Sequence, residues 1–407
     1  MNSVELFAGA GGLSLGLERA GWKSQLLIEY NKHACNTLRK NKEIGYKLAK
    51  DWNIFEGDVR KVNYNNIEAT IDLVAGGPPC QPFSLGGKHN GRNDSRDMFP
   101  EAIRAVRELG PKYFVFENVK GLLRKSFDSY FKYIILRLQF PFEGKRDSED
   151  WQDHYSRLVD TKKKHINFGS KYVYNVTFHL VNAADYGIPQ HRHRIIITGV
   201  REDLGWSFIF PEKTHFEDQL IIDKYITKDY WTVCGNKYTD DINIYKGLAK
   251  RRDKLATSIQ HSSFIEKRYM TLFEAIKDLP PPCKEYNSNW PNHIFRGGAR
   301  PYPGHTGSSL HFPSKAIKAG THGVPGGENM IAFSDGSYRY FTTREAARIQ
   351  TFPDSYIFEG SWTESMRQIG NAVPVDLAFV IGDSLNKQIA THEHERQTRK
   401  ETALQPT

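Results

Sequence analysis

The feature that most constrains the fold is an alternation of short apolar runs and longer segments of helical spacing over the first half of the chain. Several of the runs are β-branched and apolar throughout, which is typical of strands that are buried on both faces of a sheet. The alternation therefore predicts an α/β fold with a doubly wound, mostly parallel sheet. The predicted strands comprise residues 4–7, 25–29, 71–75, 113–117, 173–180 and 194–200, and predicted helices include residues 13–19, 98–109 and 130–138.

The composition of the chain changes after about residue 204. Residues 205–340 are rich in Gly, Pro, Asn, His, aromatic and basic residues and show no strand–helix alternation, which predicts a second, smaller, loop-rich domain. Helical spacing returns at 343–350 and 375–389, so residues 341–391 are expected to join residues 1–204 in the first domain.

Two polar segments are interpreted as lying outside the core. Residues 141–170 form a charged insert, for which a surface loop or a partly helical, solvated excursion is expected. The tail, residues 392–407, is polar and is expected to fray.

Bulk properties narrow the class of protein. A chain of 407 residues is expected to form two domains. The net charge of +9 is compatible with a polyanionic partner, although many proteins without one are equally basic. No stretch is long and apolar enough to cross a membrane, and the first strand starts too early for a signal peptide, so a cytoplasmic location is expected. The four cysteines are far apart, and neither a metal site nor a disulfide is expected.

The first predicted strand ends in closely spaced glycines, Gly-Ala-Gly-Gly at 9–12, and a helix follows. Glycine lets the backbone approach a ligand, and a helix N-terminus offers unpaired N–H groups. Glu29 closes the second predicted strand, where a carboxylate suits a ribose diol, and Asp58 follows a third candidate strand, where it suits an adenine amine. The same pattern fits any nucleotide-binding or merely tight strand–helix unit.

A cysteine lies in a rigid loop at the end of another predicted strand. The sequence at 76–84 is Gly-Gly-Pro-Pro-Cys-Gln-Pro-Phe-Ser, which places Cys80 where open α/β sheets bind ligands. A lone cysteine is usually a small buried hydrophobe. Two preceding prolines stiffen this loop, however, and a nucleophile explains it better. Cys35, Cys234 and Cys283 have no such setting.

Charged residues mark two further strand ends. Glu117 follows a strongly apolar strand, where partial desolvation suits a carboxyl group to giving or sharing a proton; a capping or ion-paired glutamate is the alternative. Arg192 and Arg194 alternate along a predicted strand and are expected to point to one side. The two guanidinium groups could lower the pKa of the Cys80 thiol and hold a polar base or a phosphate. The alternative is a basic strand end that is exposed to solvent.

In combination, these segments resemble the DNA cytosine-C5 methyltransferases. Two later segments extend the resemblance, namely Arg-Glu-Ala-Ala-Arg-Ile-Gln-Thr-Phe-Pro at 344–353 and Gln-Ile-Gly-Asn-Ala-Val-Pro at 368–374. The motifs follow the family's order from residue 5 to residue 374. One mild departure is histidine at positions 191 and 193, where the family varies but often carries a basic or acidic residue. The resemblance implies the Rossmann-like fold of S-adenosylmethionine-dependent methyltransferases with a target-recognition domain at 205–340.

The resemblance also implies a reaction. Cys80 would add to C6 of a cytosine flipped out of duplex DNA, and C5 would then take the methyl group of S-adenosylmethionine. Glu117 would hold N3 and the exocyclic amine, while Arg194, with Arg192 nearby, would orient the base and stabilise charge on its O2.

Site residues follow from the same resemblance. The implied cofactor contacts are Phe7, Ala8, Gly9, Gly11, Gly12, Leu13, Glu29, Tyr30, Asp58, Val59, Pro79, Met98, Asn371 and Ala372. Gln81, Ser84, Arg296 and Arg300 are the expected DNA contacts; for each of these arginines, contact with phosphate or only with solvent is the alternative to a guanine contact.

The implied partners are double-stranded DNA and a cognate restriction endonuclease, and a monomer is expected. A tRNA substrate is the nearest rival, but the Cys-Phe-Thr segment of that branch is absent, since Gly follows Cys234 and Lys follows Cys283. A dinucleotide oxidoreductase would explain the glycines and Glu29 but not Cys80. A non-catalytic DNA-binding relative would not need to keep the reactive side chains.

Overall fold

The computed structural model describes residues 1–79, 97–165, 169–235, 247–258, 266–285, 287–303, 305–320 and 328–403. The strands are β1 (Asn2–Leu6), β2 (Lys23–Glu29), β3 (Ile54–Glu56), β4 (Leu73–Gly76), β5 (Tyr113–Val119), β6 (Tyr174–Asn182), β7 (Gln190–His191), β8 (His193–Arg201), β9 (His215–Phe216), β10 (Lys267–Arg268), β11 (Ser308–Ser309), β12 (Ser314–Lys315), β13 (Met330–Ala332) and β14 (Tyr338–Tyr340). The helices are α1 (Gly12–Arg19), α2 (Lys32–Glu43), α3 (Phe99–Leu109), α4 (Asp128–Gln139), α5 (Trp151–Lys164), α6 (Glu217–Tyr225), α7 (Asp229–Cys234), α8 (Leu248–Ser258), α9 (Leu272–Ile276), α10 (Thr343–Ile349), α11 (Trp362–Asn371) and α12 (Val375–Ala403).

A seven-stranded sheet in the order β3-β2-β1-β4-β5-β8-β6 organises the chain. Strands β1 to β5 are mutually parallel, and β8 is antiparallel to both β5 and β6. This topology confirms the predicted doubly wound, mostly parallel α/β sheet. Each of the six strands predicted from apolar runs is present, with ends shifted by a few residues.

Helices cover both faces of the sheet. On one face, α3 and α4 pack against strand residues such as Val74 and Phe116. On the other face, α1 and α12 pack against residues such as Leu73 and Val115. The two helices α1 and α12 approach so closely that a Cβ at Gly16 would lie 2.4 Å from the Cβ of Ala378. The C-terminal helix is therefore part of the sheet core, as the returning helical spacing predicts.

The described part of residues 205–340 contains short strands and helices, from β9 to β14 and from α6 to α9, joined by longer stretches without regular structure. Strand β12 pairs in parallel with β7, which ties this region to the chain just before β8. Trp206, Phe208 and Phe210 pack into the core of the main sheet. The assignment of a separate domain at 205–340 stays a prediction.

Two polar segments differ from the sequence-based expectation. Within the insert, α5 packs on α4, and Leu158 is completely buried in a small core with Tyr133 and Phe140, so the insert is more than a solvated excursion. Apolar positions spaced along α5 explain this packing. The expected fraying tail is helical as far as Ala403, because α12 continues through it. In the part of the chain that the structure describes, no helix is long and apolar enough to cross a membrane.

Candidate active site

The carboxyl ends of the five parallel strands meet at one edge of the sheet. In the register, Leu6 pairs with both Ile28 and Gly76, and Gly76 pairs with Phe116. The residues that follow these strands therefore lie along the same edge, where open α/β sheets form their binding crevice. This edge collects the glycine loop, Glu29, Asp58, the loop entering Cys80 and Glu117.

Glu117 and Arg194 form a partly buried ion pair across β5 and β8. Val119 pairs with Arg194 in this antiparallel ladder, so Glu117 lies diagonally across from Arg194 on the same face. The Nε atom of Arg194 is 2.6 Å from Oε1 of Glu117. The residue Glu117 is 8% exposed. Among the described residues, this Oε1 atom has no partner in hydrogen-bond geometry. The charge of Arg194 thus orients the carboxylate through Oε1, and its other oxygen, Oε2, lies on the side of Gly77.

Gly77 keeps the space beside this carboxylate open. A Cβ atom at Gly77 would lie 3.4 Å from Oε2 of Glu117, within van der Waals contact. The same short loop leads to position 80. A larger side chain at position 77 would fill the space between the loop and the carboxylate.

The two residues before Cys80 are held from two sides. Nδ2 of Asn118 donates to the carbonyl of Pro78 at 2.9 Å, and the backbone N–H of Met98 donates to the carbonyl of Pro79 at 3.1 Å. Asn118 was not among the predicted site residues, although an amide directly after Glu117 at a strand end is a signal for such a role. Cys80, Gln81 and Ser84 lie outside the described residues.

Arg192 does not share the setting of Arg194. It falls between β7 and β8, where strand alternation does not apply, and its side chain is completely buried. It donates to the carbonyls of Ile317, Gly370 and Ala372 at 3.2, 2.8 and 2.9 Å. Burial, with a contribution from nearby Arg194, lowers the pKa of Arg192 well below its ordinary value. Three backbone carbonyls thus hold the Arg192 guanidinium, and the charges of Arg194 and Glu117 both act on it. The expectation that both arginines point to one side stays a prediction.

The glycine loop has the unusual backbone that its sequence predicts. Phe7, Gly9 and Gly11 have φ angles of 58°, 55° and 78°. A Cβ atom at Gly9 would meet no atom within 4 Å, so open space adjoins the loop there. By contrast, a Cβ atom at Gly12 would lie 2.3 Å from the carbonyl oxygen of Val373. The loop is thus open on one side and closed on the other by the segment at 368–374.

Glu29 stands beside the loop at the end of β2. Its Oε2 accepts a hydrogen bond from the N–H of Gly9 at 2.7 Å, and its Oε1 accepts one from Asn31 at 2.6 Å. Burial raises the pKa of Glu29, while these N–H groups act in the opposite direction. Since each carboxylate oxygen has a further lone pair, Glu29 can also accept hydrogen bonds from a diol.

The other predicted cofactor residues fall into four settings: locally engaged, half-buried, buried and exposed. Asp58 is engaged locally, because the hydrogen bonds from Arg60 hold its pKa down at about 2. Met98 and Phe7 are half-buried against the same core of the sheet. Tyr30 is 78% exposed at the edge. The remaining residues comprise Ala8, Leu13, Val59 and Ala372, which are buried, and Pro79 and Asn371, which are exposed.

Glu5 is a buried carboxyl group that sequence reasoning missed. It lies within β1 at 3% exposure and accepts a hydrogen bond from the hydroxyl of Ser14. Burial raises the pKa of Glu5 to about 8, with a smaller contribution from the charge of Glu29. A glutamate between the apolar residues Val4 and Leu6 of a predicted strand was the available signal.

Arg296 and Arg300 are exposed and distant in sequence from the strand ends. The guanidinium of Arg296 lies over the ring of Trp362, 5.2 Å from its centroid. Their expected contacts with DNA stay predictions. Within the described ranges, no group of three or more His, Cys, Asp or Glu residues could hold a metal ion.

The comparison with protein families decides which chemistry this edge serves. The model of the C-5 cytosine-specific DNA methylases matches residues 1–140 and 152–387. The chain belongs to this family. The match confirms the predicted resemblance and the assignment as a DNA cytosine-C5 methyltransferase. The family in turn implies S-adenosylmethionine as the methyl donor.

Relatives and solved structures agree with this assignment. The enzyme is 33% identical over 390 residues to the type II methyltransferase M.Eco47II of Escherichia coli, covering 94% of this chain and 78% of the relative. It is 34% identical to M.PspPI of a Psychrobacter strain, with 95% and 79% covered. A structure of Spodoptera frugiperda DNMT2 superposes with a TM-score of 0.52 at 16% identity, covering 94% of this chain and 99% of the other. EhMeth of Entamoeba histolytica gives a TM-score of 0.53 at 13% identity, with 96% and 98% covered. These two structures support the fold alone.

Proposed function

We propose that the enzyme methylates C5 of a cytosine flipped out of a specific duplex DNA sequence, with Cys80 as the nucleophile. The observation that carries the proposal is the partly buried Glu117–Arg194 pair, which lies next to the Gly77–Pro79 loop that leads to Cys80. A carboxylate beside a guanidinium suits a base that has both donors and acceptors on one edge.

The proposed steps use side chains of this chain. The Cys80 thiolate forms a bond to C6, and the electron pair displaced from the ring makes C5 nucleophilic. Glu117 accepts a hydrogen bond from the exocyclic amine and shares a proton at N3, which stabilises the charge created by the attack. Arg194 stabilises negative charge on O2. After methyl transfer, the C5 proton leaves to a base, the double bond re-forms, and the Cys80 thiolate departs from C6.

The cofactor pocket is proposed at the glycine loop. S-adenosylmethionine supplies an electrophilic methyl group when it is bound. The open space at Gly9, the carboxylate of Glu29 and the exposed ring of Tyr30 fit a nucleoside with a ribose diol and a purine ring. Phe7, Met98, Pro79 and Asn371 are proposed to line this pocket, together with the other residues that the sequence predicts for this site. Asp58 would accept a hydrogen bond from the adenine amine only through carboxylate lone pairs that are not used by Arg60.

Residues 205–340 are proposed to read the DNA sequence, and residues 1–204 with 341–391 to form the catalytic domain. A target must leave the duplex, which costs roughly a few kcal/mol, and the basic net charge favours the phosphate contacts that position it. Because the relatives include type II methyltransferases such as M.Eco47II, we further propose that the methylation protects DNA from a cognate restriction endonuclease.

The test is to express the enzyme in a host without cytosine methylation and to map 5-methylcytosine by bisulfite sequencing. Methylation at one short sequence motif is expected, with complete loss in Cys80→Ala and a loss of about 10²-fold or more in Glu117→Gln. Tyr172→Phe, at an exposed position far along the chain from these residues, is the control and should methylate normally.

Two results would contradict the proposal. Unmethylated DNA in cells that contain folded enzyme would rule out DNA as the substrate, and tRNA from the same cells would be examined next. Methylation that persists in Cys80→Ala would rule out Cys80 as the nucleophile. Survival of plasmids bearing the mapped motif against an endonuclease of that specificity tests the protective role.

A further inference from the structure

The charged insert contacts the catalytic half of the molecule through aromatic side chains. Trp151, the first residue of α5, packs edge-on against the ring of Tyr130 on α4, with centroids 5.6 Å apart. It also packs against Tyr133, again at 5.6 Å. The match to the family model is interrupted at residues 141–151, so Trp151 lies at the end of a segment that the family model does not cover.

Trp151 is held firmly in this position. Asp150 caps α5 through a capping box with Asp153, which fixes where the helix begins. One turn later, Nδ1 of buried His154 lies 3.0 Å from the hydroxyl of Tyr133, and its Nε2 lies 2.9 Å from the carbonyl of Glu143. A small core around Leu158 completes the attachment of α5 to α4. The insert is therefore a structured support for α4.

Tyr130 links α4 to the residues next to position 80. Its hydroxyl donates to Oδ2 of Asp97, and Oδ1 of Asp97 accepts the backbone N–H of Phe99 at 3.2 Å. Between these two residues, the N–H of Met98 donates to the carbonyl of Pro79. Three successive contacts thus join Trp151 to the residue that precedes Cys80 in the sequence.

We propose that Tyr130, supported by Trp151, is a positioning residue for methyl transfer. Through Asp97 and Met98 it sets the direction in which the chain leaves Pro79, and it sets Met98 at the edge proposed for the cofactor. This inference rests on the proposed function, because it assigns Tyr130 a role in placing Cys80. Tyr130 itself is not proposed to touch the base or the cofactor.

The expected size of the effect follows from the sensitivity of catalysis to geometry, since a misplacement of about 1 Å can cost about 10²-fold in rate. Removing the Tyr130 hydroxyl leaves the ring packing intact and takes away one hydrogen bond to Asp97. We expect Tyr130→Phe to lower the rate constant of methyl transfer by about tenfold. Trp151→Ala should lower it to a similar extent, and Trp151→Phe, which keeps an aromatic ring, should restore most of it.

The experiment is single-turnover transfer of a labelled methyl group to a duplex that carries the mapped target, with enzyme and S-adenosylmethionine in excess. The rate constant reports placement of the reacting groups, whereas the amplitude reports the fraction of competent enzyme. In Tyr130→Phe, a lower rate constant with unchanged amplitude and unchanged affinity for the duplex is expected. Tyr172→Phe removes a tyrosine hydroxyl near the other end of the insert, where its ring contacts Phe142, and should leave the rate constant unchanged.

Several outcomes would overturn the inference. One is an unchanged rate constant in Tyr130→Phe beside an active parent enzyme; another is a loss confined to amplitude and thermal stability, which would make the role purely structural. A Trp151→Phe variant as slow as Trp151→Ala would refute the support from the insert. Inactivity of the parent enzyme itself would instead contradict the proposed function.

Discussion

Arg192 and Arg194 lie two positions apart. The structure predicts that a lysine substitution lowers mainly the stability at position 192 and mainly the methyl-transfer rate at position 194. In Arg192→Lys, the shorter side chain keeps its charge but cannot reach the three carbonyls that the guanidinium spans. The carbonyl of Ala372 also accepts from Nε2 of Gln350 at 3.1 Å and stays paired. The carbonyls of Ile317 and Gly370 lose the donor from Arg192, and an unpaired buried acceptor costs about 1–3 kcal/mol. The free energy of unfolding should therefore fall by about 2–6 kcal/mol.

Arg194→Lys serves as the matched control, because it makes the identical change at the pair with Glu117. A lysine there still places a positive charge opposite the carboxylate, so the free energy of unfolding should change by no more than about 1 kcal/mol. The planar donor group is lost, however, and the methyl-transfer rate should fall by about 10²-fold.

Urea unfolding followed by tryptophan fluorescence measures the first quantity, and methyl transfer at saturating DNA and donor measures the second. If Arg192→Lys unfolds like the parent enzyme, the three hydrogen bonds do not stabilise the fold as argued. If both variants lose the same stability, the separation of their roles is refuted.

Further predictions concern the core around the glycine loop. Because burial raises the pKa of Glu5 from its ordinary value of 4.5 to about 8, stability should fall as pH rises through this window, by on the order of 5 kcal/mol. Glu5→Gln should flatten this dependence in urea unfolding measured between about pH 5 and pH 8, and an equally steep dependence in the variant would contradict the assignment. Gly12→Ala brings a methyl group against the carbonyl of Val373 and should cost about 1–3 kcal/mol in unfolding free energy and weaken binding of S-adenosylmethionine in calorimetry. Gly144→Ala, where a Cβ meets no neighbour within 4 Å, should change stability by less than about 0.5 kcal/mol, and equal losses in the two variants would argue against the close contact at Gly12.

The site was largely predictable because its parts follow individual strands. Apolar runs locate β1, β4 and β5, and parallel pairing brings the residues after them to one edge whatever else the chain does. Glu117 and the glycine loop were therefore expected where they are found. Asn118 was overlooked because its contact with the carbonyl of Pro78 depends on the path of a different loop. Cys80 keeps its predicted role as a proposal.

Local patterns determined the sheet, its covering helices and the positions of the motifs, because hydrophobic periodicity and turn chemistry act over a few neighbouring residues. The tertiary structure alone decided what Arg192 does, since its three acceptors lie at residues 317, 370 and 372, more than a hundred positions away in the sequence. It also decided that the insert packs on α4 and that Trp151 lies against Tyr130. The polarity of the insert suggested a solvated excursion. Its burial, however, depends on which apolar surfaces of distant segments pack together, and a local sequence pattern does not specify that packing.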